Sequence, residues 1–433
     1  MPAEKIKADL VIIGAGIAGL SLAFRAWQQG LRAVTFDDGR NGATNSATGM
    51  IAPRLDYMLK DIELVGESDR QCRQFKNIFT DLITPTKFLI PLGPNLRYGS
   101  GPFKYLLETY DRITPNRRIY VPPCSYLSAA DLEREEPNIR KAHFDGAFCL
   151  WELTTDPKKL LAQLDRFNRI FDPHYRRIRI DKRGLEFKTE GSEITEIKAI
   201  SLDNNPTTVS GKNKGLIVIN ASGPWISETA ALFGSRLNIE LRLGIQISVS
   251  GRPFKSGIIL LEKNNVFFCL PKNEYTQFGP TNTLFTGHPD DVFAARDGLA
   301  ELKNSFRNFL DSGIQAGECR FLKAGLRVRP NFGDTNRPII WSHKSDGLDN
   351  FYTLFPGKMS LGLLAADEML GVISRDGWHK FQNQSSQSKY SLDGNKESRN
   401  KLFLKKENLR SLAKVGLSVI SQTFSQTKAK KTP

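Results

Sequence analysis

The sequence predicts an α/β protein in which a Rossmann-like domain is combined with a second domain built on an antiparallel sheet. Three observations predict this fold. A glycine-rich β-α-β pattern occupies residues 10–37, a second buried strand at 215–220 ends in small residues, and apolar and polar residues alternate from 239 onwards. Segments with buried parallel strands alternate along the sequence with segments typical of the second domain. We therefore expect both domains to be discontinuous in sequence.

The first element is a nucleotide-binding motif. Residues 10–13 are continuously apolar, as in a strand that is buried on both faces. Gly14 then permits a tight turn, Gly16 close approach of the backbone to a pyrophosphate, and Gly19 close packing of helix on strand. Asp37 follows a second apolar run, where a carboxylate accepts hydrogen bonds from ribose hydroxyls. The residues that this motif predicts to contact a cofactor are Gly14, Ala15, Gly16, Ile17, Ala18, Gly19, Asp37 and Asp38.

A long loop of small residues follows at 39–54. Small side chains allow a backbone to lie close to a flat ligand, and hydroxyl groups can donate to phosphate. Loops of this length are uncommon without a function, although an ordinary surface loop is the alternative. We therefore predict cofactor contacts from Thr44, Ser46, Gly49 and Met50.

The middle of the chain supplies helices and loops. Within 57–140, which is otherwise helical or irregular in pattern, Pro85, Pro91, Pro94 and the Gly/Pro cluster at 99–102 predict loops. Capping signals and amphipathic spacing predict helices that begin after Ser128, begin at Pro157 and extend over 297–315. Alternation predicts half-buried strands over 176–201 and an antiparallel sheet over 238–290.

Two later strands end in small residues or a glycine turn. Ligands of open α/β sheets lie beyond the carboxyl ends of the strands. Residues that follow the apolar run 215–220 are therefore predicted to contact the dinucleotide, with a strand stop and helix cap as the alternative. After the run 351–355, a glycine turn leads into a helix whose amino terminus would place partial positive charge beside a ligand that gains negative charge, with an ordinary turn and core helix as the alternative. The residues predicted to contact the cofactor after the two runs are Ala221, Gly223, Gly357, Lys358, Met359 and Ser360.

Composition and charge limit the classes of function. The 433 residues are 40% hydrophobic and 25% charged, as in a globular protein, and carry a net charge of +15. Residues 380–433 hold 12 of the basic and 3 of the acidic side chains, so more than half of the excess lies in a tail and nucleic acid is not the expected partner. An odd cysteine count without a CxxC pair predicts no disulfide framework and no metal site, and it fits a cytoplasmic protein.

The separate motifs together resemble FAD-dependent oxidoreductases of the D-amino-acid oxidase class, which includes glycine oxidases, sarcosine oxidases and glycerol-3-phosphate dehydrogenases. The loop at 43–53, Asn-Ala-Ser-Gly-Pro-Trp at 220–225, and Pro-Gly-Lys-Met-Ser at 356–360 carry the resemblance. It implies a glutathione-reductase-type fold and makes the dinucleotide FAD. With neither cysteine nor histidine in the last turn, it implies non-covalent flavin, and Lys358 would stabilise negative charge near the ring.

Two arginines are candidates for binding the substrate. A guanidinium group in a strand beside the flavin can present a bidentate fork to a carboxylate or phosphate. The family supplies this group from Gly-Leu/Val-Arg-Pro, which is stretched here to Gly-Leu-Arg-Val-Arg-Pro at 325–330. The preceding Gly-Leu favours Arg327 as the family's arginine, whereas the following proline favours Arg329, so both remain candidates. The alternative is that neither binds substrate and that both lie on a solvated strand edge. Arg54 is a lesser substrate candidate.

The motifs predict a domain division. The FAD-binding domain comprises 1–56, 145–230 and 325–375, and the substrate domain comprises 57–144 and 231–324. Residues 376–433 form a basic linker followed by an amphipathic helix. Apolar residues within 401–424 fall roughly on one helical face among lysines, which suits either peripheral contact with an anionic membrane or docking on protein.

The resulting hypothesis is a flavoenzyme that oxidises a C–N or C–O bond of a small anionic substrate by hydride transfer. No histidine lies in the relevant loops, so no catalytic base is predicted. The alternatives are a membrane-associated glycerol-3-phosphate-type dehydrogenase that reduces quinone, a flavoprotein acting on a modified tRNA base, and a non-catalytic flavin-binding protein. The electron acceptor, whether O2, quinone or another molecule, is not encoded in any motif.

Overall fold

The computed structural model describes residues 4–53, 55–58, 61–93, 100–139, 144–181, 184–212, 215–261, 266–293, 295–296, 298–309, 318–331 and 336–378. The helices are α1 Ile17–Gln28, α2 Ile62–Ile78, α3 Ser100–Ile113, α4 Ala129–Glu135, α5 Pro157–Phe171, α6 Ile226–Leu232, α7 Leu299–Phe309 and α8 Gly362–Arg375. The strands of the amino-terminal half are β1 Glu4–Ala8, β2 Leu10–Ile13, β3 Ala33–Asp37, β4 Met50–Ile51, β5 Thr84–Leu92, β6 Ser125–Ser128, β7 Gly146–Thr154, β8 Arg176–Arg179, β9 Glu186–Glu190, β10 Glu193–Ile200 and β11 Pro206–Gly211. Those of the other half are β12 Ile217–Asn220, β13 Ile239–Ser250, β14 Gly257–Leu261, β15 Val266–Pro271, β16 Tyr275–Gly279, β17 Thr283–Phe285, β18 Cys319–Pro330, β19 Ile339–Ser342 and β20 Phe351–Phe355.

The predicted β-α-β unit lies at the centre of a six-stranded sheet with the order β19-β20-β12-β2-β3-β8. The strands β20, β12, β2, β3 and β8 are parallel, so their carboxyl ends meet at one edge. Leu10 and Ile12 pack with α1 and α8 on one face, whereas Val11 and Ile13 pack against β10 and β11 on the other. Burial on both faces explains why β2 is continuously apolar.

A four-stranded sheet, ordered β1-β11-β10-β9, covers that second face of the parallel sheet. Ile194, Ile197 and Val209 are completely buried in the layer between the two sheets. The alternation seen over 176–201 therefore divides between β8, which joins the parallel sheet, and β9 and β10, which do not.

The large sheet contains the predicted antiparallel region. Its path runs β17-β13-β16-β15-β14-β5-β7-β4, with β18 paired to β13 and β6 paired to β7. The helix α7 packs on one face through Leu302 and Phe306, and α3 covers part of the other through Leu107. The helix predicted at 297–315 is thus present over Leu299–Phe309.

The loops predicted at Pro85 and Pro91 are wrong. Both residues lie in β5, which pairs with β7 over Thr84–Leu92. Proline lacks the N–H donor that a strand needs when it is paired on both sides. The other neighbour, β14, pairs with β5 only at Phe88 and Leu89, so both prolines lie where β5 needs one partner. The loop predicted at 99–102 is also wrong from Ser100 on, because α3 begins there. Pro94 and Gly99 lie outside the described residues.

The helix-start predictions are confirmed. Ser128 and Asp131 form a capping box at the start of α4. Asp156 caps α5 and accepts hydrogen bonds from the backbone of Lys158 and Lys159, with Pro157 in the first turn. Both starts depend on local capping chemistry, which a sequence displays directly.

The predicted domain division stays a prediction, but its boundaries do not coincide with the sheets. β4 and β7 lie in the large sheet, although 1–56 and 145–230 are assigned to the FAD-binding domain. The boundary between 324 and 325 falls inside β18.

The basic tail predicted over 376–433, with its linker and helix, lies outside the described residues beyond 378. None of the described helices is long and apolar enough to span a bilayer.

Candidate functional site

The predicted cofactor residues converge on the edge where the parallel strands end. Gly14 follows β2, Asp37 ends β3, Ala221 follows β12, and Gly357 follows β20 by two residues. Gly14 has a φ of +110°, and a β-carbon there would lie 2.5 Å from the carbonyl oxygen of Ala221. Glycine at this turn is therefore required both by its conformation and by the close approach of two strand ends.

Asp37 is held at this edge by three donors. The backbone N–H of Ala15 donates to its Oδ2 at 3.0 Å, and the N–H of Gly39 donates to its Oδ1 at 3.1 Å. The guanidinium of Arg177 donates to the same Oδ1 at 2.7 Å. Asp38, which the sequence also predicts to contact the cofactor, pairs with Arg40, whose guanidinium also donates to Asp290.

The amino terminus of α1 faces the small-residue loop. Gly16 precedes the helix without a side-chain cap, and the N–H of Ile17 donates to Thr44 Oγ1 at 3.3 Å. Ile17, Ala18 and Gly19 are buried in the first turn. The partial positive charge of a helix amino terminus and a hydroxyl group beside it form an arrangement that suits a phosphate.

The loop is fastened to the large sheet on its other side. Ser46 Oγ donates to the carbonyl oxygen of Ala324 at 2.7 Å, and Gln246 Nε2 donates to the carbonyl oxygen of Ser46 at 2.6 Å. Lys323 Nζ donates to the carbonyl oxygen of Ala47 at 2.8 Å. A β-carbon on Gly325 would lie 2.4 Å from the Ser46 side chain, so the loop and β18 are in direct contact.

Gln246, Gln277 and Lys323 were not predicted. The two glutamines are buried, and Gln277 Nε2 donates to Gln246 Oε1 at 2.5 Å. Burial lowers the pKa of Lys323 to about 8. All three are polar side chains within strands, where a solvent-exposed position is the ordinary expectation, so no local pattern indicates their contacts.

Arg327 and Arg329 lie on the same face of β18 as Lys323 and Gly325, because side chains two residues apart point the same way. Arg327 is half-buried and donates to the carbonyl oxygen of Thr281 and to Asn282 Oδ1, both at 3.1 Å. Arg329 is exposed and lies farther along the strand from the loop.

The turn after β20 places the remaining predicted residues. Met359–Leu361 form a 3-10 helix that leads into α8, and Ser360 is buried. Lys358 Nζ lies 5.9 Å from the centre of the Tyr57 ring. Met50 opens β4, and Gly49 packs against the carbonyl oxygen of Thr155. Gly223 begins a short 3-10 helix after β12, whereas Arg54 lies outside the described residues.

These residues fit an adenine dinucleotide. A carboxylate at the end of β3, a helix amino terminus after β2 and a hydroxyl-bearing loop supply complementary groups for ribose and pyrophosphate at one edge. Among the described residues, no group of histidine, cysteine or carboxylate side chains is arranged to hold a metal ion.

Comparison with known proteins agrees with this geometry. Residues 9–366 match the DAO family, described as FAD dependent oxidoreductase. The aerobic glycerol-3-phosphate dehydrogenase of Staphylococcus saprophyticus is 24% identical over 380 residues, which cover 85% of this chain and 67% of that protein.

Two solved structures share the fold at 16% identity. The glycerol-3-phosphate dehydrogenase of Bacillus halodurans, complexed with FAD, has a TM-score of 0.61 over 85% of this chain, which spans 64% of that structure. Glycine oxidase from Geobacillus kaustophilus has a TM-score of 0.60 over 85% of this chain and 95% of its own. The resemblance and the fold class predicted from sequence are confirmed, and the chain belongs to the DAO family of FAD-dependent oxidoreductases, with FAD as its cofactor.

Proposed function

We propose that this enzyme oxidises a C–N or C–O bond of a small anionic substrate, of the amino acid, amine, hydroxy acid or glycerol phosphate type, by hydride transfer. When bound, FAD supplies the two-electron acceptor. The residues of the chain bind the substrate anion, orient the reacting C–H bond and exclude water.

The placement of Arg327 carries this proposal. It lies two residues from Gly325, which contacts Ser46 of the predicted flavin loop, and on the same face of β18. Its bonds to Thr281 and Asn282 orient the guanidinium, which has five donors in a planar fork and can therefore bind a carboxylate or phosphate as well. Arg329 is the weaker candidate, because its exposure favours solvation.

Lys358 is proposed as an electrostatic residue. It follows the glycine turn at the carboxyl end of β20, on the edge that gathers the other predicted cofactor residues. A cation there favours the negative charge that a flavin gains on reduction. Arg54, next to the loop in sequence, stays a second candidate for the substrate anion.

Anaerobic titration of the purified holoenzyme tests the proposal. Glycine, sarcosine and glycerol 3-phosphate are each added, and bleaching of the flavin absorbance is followed, with uncharged glycerol as control. We expect bleaching by an anionic substrate only.

Substitution of the two arginines tests the assignment of Arg327. Arg327→Gln should raise the KM for the anionic substrate by about tenfold or more, as expected when a charge-assisted bond is lost, while Arg329→Gln should change this KM by less than about threefold.

Equal effects of the two substitutions would remove the assignment of Arg327, and bleaching by glycerol as readily as by its phosphate would remove the anionic substrate. If no substrate of these classes bleaches the flavin, the non-catalytic flavin-binding alternative is favoured.

A quinone-linked glycerol-3-phosphate dehydrogenase is the second candidate. The similarity to the Staphylococcus saprophyticus protein over 85% of the chain favours it. Reduction of a soluble quinone by glycerol 3-phosphate without O2 would support it.

Peripheral membrane contact through 401–424 is tested separately. A variant without 381–433 should lose binding to anionic liposomes, and unchanged binding would contradict that contact.

A further inference from the structure

Arg177 joins two carboxylates at the adenosine end of the predicted cofactor site. It lies in β8, which runs parallel to β3 and pairs Arg177 with Thr35, two residues before Asp37. One guanidinium nitrogen lies 2.7 Å from Asp37 Oδ1 and another lies 3.3 Å from Asp165 Oδ2. The three side chains are 12–23% exposed, so these pairs are only partly screened by solvent.

The bonds to Asp37 limit what this carboxylate can still accept. A carboxylate offers about four lone-pair positions, two on each oxygen. Arg177 and the N–H of Gly39 occupy both positions on Oδ1, and the N–H of Ala15 occupies one on Oδ2. One acceptor position on Oδ2 remains. The sequence motif alone predicted that Asp37 would accept from the ribose hydroxyls without this restriction.

We propose that Arg177 is a cofactor-positioning residue, which fixes the Asp37 carboxylate so that Oδ2 accepts a single hydroxyl of the adenosine ribose. Asp165 holds Arg177 in turn from α5. Arg177 also compensates the negative charge of Asp37. This carboxylate lies at the same edge of the sheet as the amino terminus of α1, where the negatively charged pyrophosphate is predicted to bind. This inference rests on FAD binding and is independent of the substrate.

Binding to the apoprotein tests the proposal. FAD affinity is measured by quenching of flavin fluorescence, and ADP affinity by displacement of FAD. We expect Arg177→Gln to weaken FAD and ADP by the same factor, about tenfold or more, because the effect is confined to the adenosine half. The absorbance maxima of the flavin at saturating FAD should match those of the wild type.

A double-mutant cycle separates positioning from a general loss of structure. If Arg177 acts through Asp37, then Arg177→Gln should change FAD affinity by less than about threefold in an Asp37→Ala background. Arg169→Gln is the matched control. Arg169 pairs with the same Asp165 at 3.2 Å, but it is 53% exposed and its described ion pair does not include Asp37.

Arg177→Lys provides a variant that keeps the charge. A single ammonium group cannot bridge two carboxylates as a planar guanidinium does, so we expect an intermediate loss of ADP affinity, and this variant replaces Arg177→Gln if the latter does not fold. Wild-type affinity in both variants would overturn the proposal. So would an equal loss in the Asp37→Ala background, or a loss of FAD affinity that ADP does not share.

Discussion

The hydroxyl oxygen of Thr44 accepts a hydrogen bond of 3.3 Å from the backbone N–H of Ile17, the first residue of α1. The small-residue loop is therefore attached to the helix terminus that we expect to face the pyrophosphate of FAD. While it accepts this bond, the hydroxyl keeps its own proton to donate to a phosphate oxygen.

Thr44→Val should weaken FAD binding by about three- to tenfold, the effect of losing one hydrogen bond. Fluorescence titration of the apoprotein measures the affinity. Thr44→Ser, which keeps the hydroxyl, should bind FAD as the wild type does. Wild-type affinity in Thr44→Val together with a loss in Thr44→Ser would assign the effect to the methyl group instead.

The contact between Gly325 and Ser46 predicts a pair of compensating substitutions. In Gly325→Ala the new β-carbon would lie 2.4 Å from the Ser46 side chain, so the loop must shift away from β18. Overpacking of this kind costs about 1–3 kcal/mol. We expect a lower melting temperature and less FAD per purified protein, and Ser46→Gly combined with Gly325→Ala should recover part of both. Normal FAD content in Gly325→Ala alone would show that the contact is not tight.

Glu152 should make stability depend on pH. It is 2% exposed, accepts a hydrogen bond of 2.7 Å from the Tyr110 hydroxyl, and burial raises its pKa to about 7. Between about pH 4.5 and 7 it is protonated in the folded protein and ionised in the unfolded chain, so the free energy of unfolding falls as pH rises through this window, by on the order of 3 kcal/mol.

Urea unfolding of the wild type and Glu152→Gln at pH 5 and pH 8 measures this contribution. The amide cannot ionise, so the difference between the two pH values should be smaller in the variant. The nearby carboxylates of Asp69 and Asp111 are present in both proteins, so the comparison isolates the contribution of Glu152. The same pH dependence in both would contradict a raised pKa at Glu152.

Lys323 should have the opposite dependence. Burial lowers its pKa to about 8, with a further contribution from nearby Lys272. Between pH 8 and the ordinary lysine value, about 10.4, the unfolded chain holds one proton more than the folded protein, so stability rises with pH. Relative to Lys323→Met, the wild type should therefore gain stability from pH 8 to pH 10. A constant difference between the two proteins would contradict this.

The sequence predicted the edge of the parallel sheet well because the signals there are local. A buried strand, a glycine turn and an acid at the end of the next strand lie within 10–37, and β12 and β20 repeat the pattern of a strand followed by small residues. Parallel strands then bring these local motifs to one edge without further information.

The fastening of the loop was not predicted because its contacts are distant in sequence. Gln246 lies 200 residues from Ser46, and Lys323 lies 276 residues from Ala47. Period-two alternation cannot show which strand faces which loop, and it cannot separate Arg327 from Arg329, since both fall on one face. The loops predicted at Pro85 and Pro91 were wrong for a related reason. A strand can contain proline where it is paired on one side, and this depends on how far β14 extends beside β5, which the local sequence does not show.

The distance in sequence between loop and anchors also orders events during synthesis. The β-α-β unit is encoded within the first forty residues, yet Ser46 cannot donate to Ala324 until β18 has been translated. A nascent chain that contains only the glycine motif therefore lacks the contacts with β18 that hold the small-residue loop in place. We expect stable capture of the flavin only after translation has passed about residue 330, the end of β18.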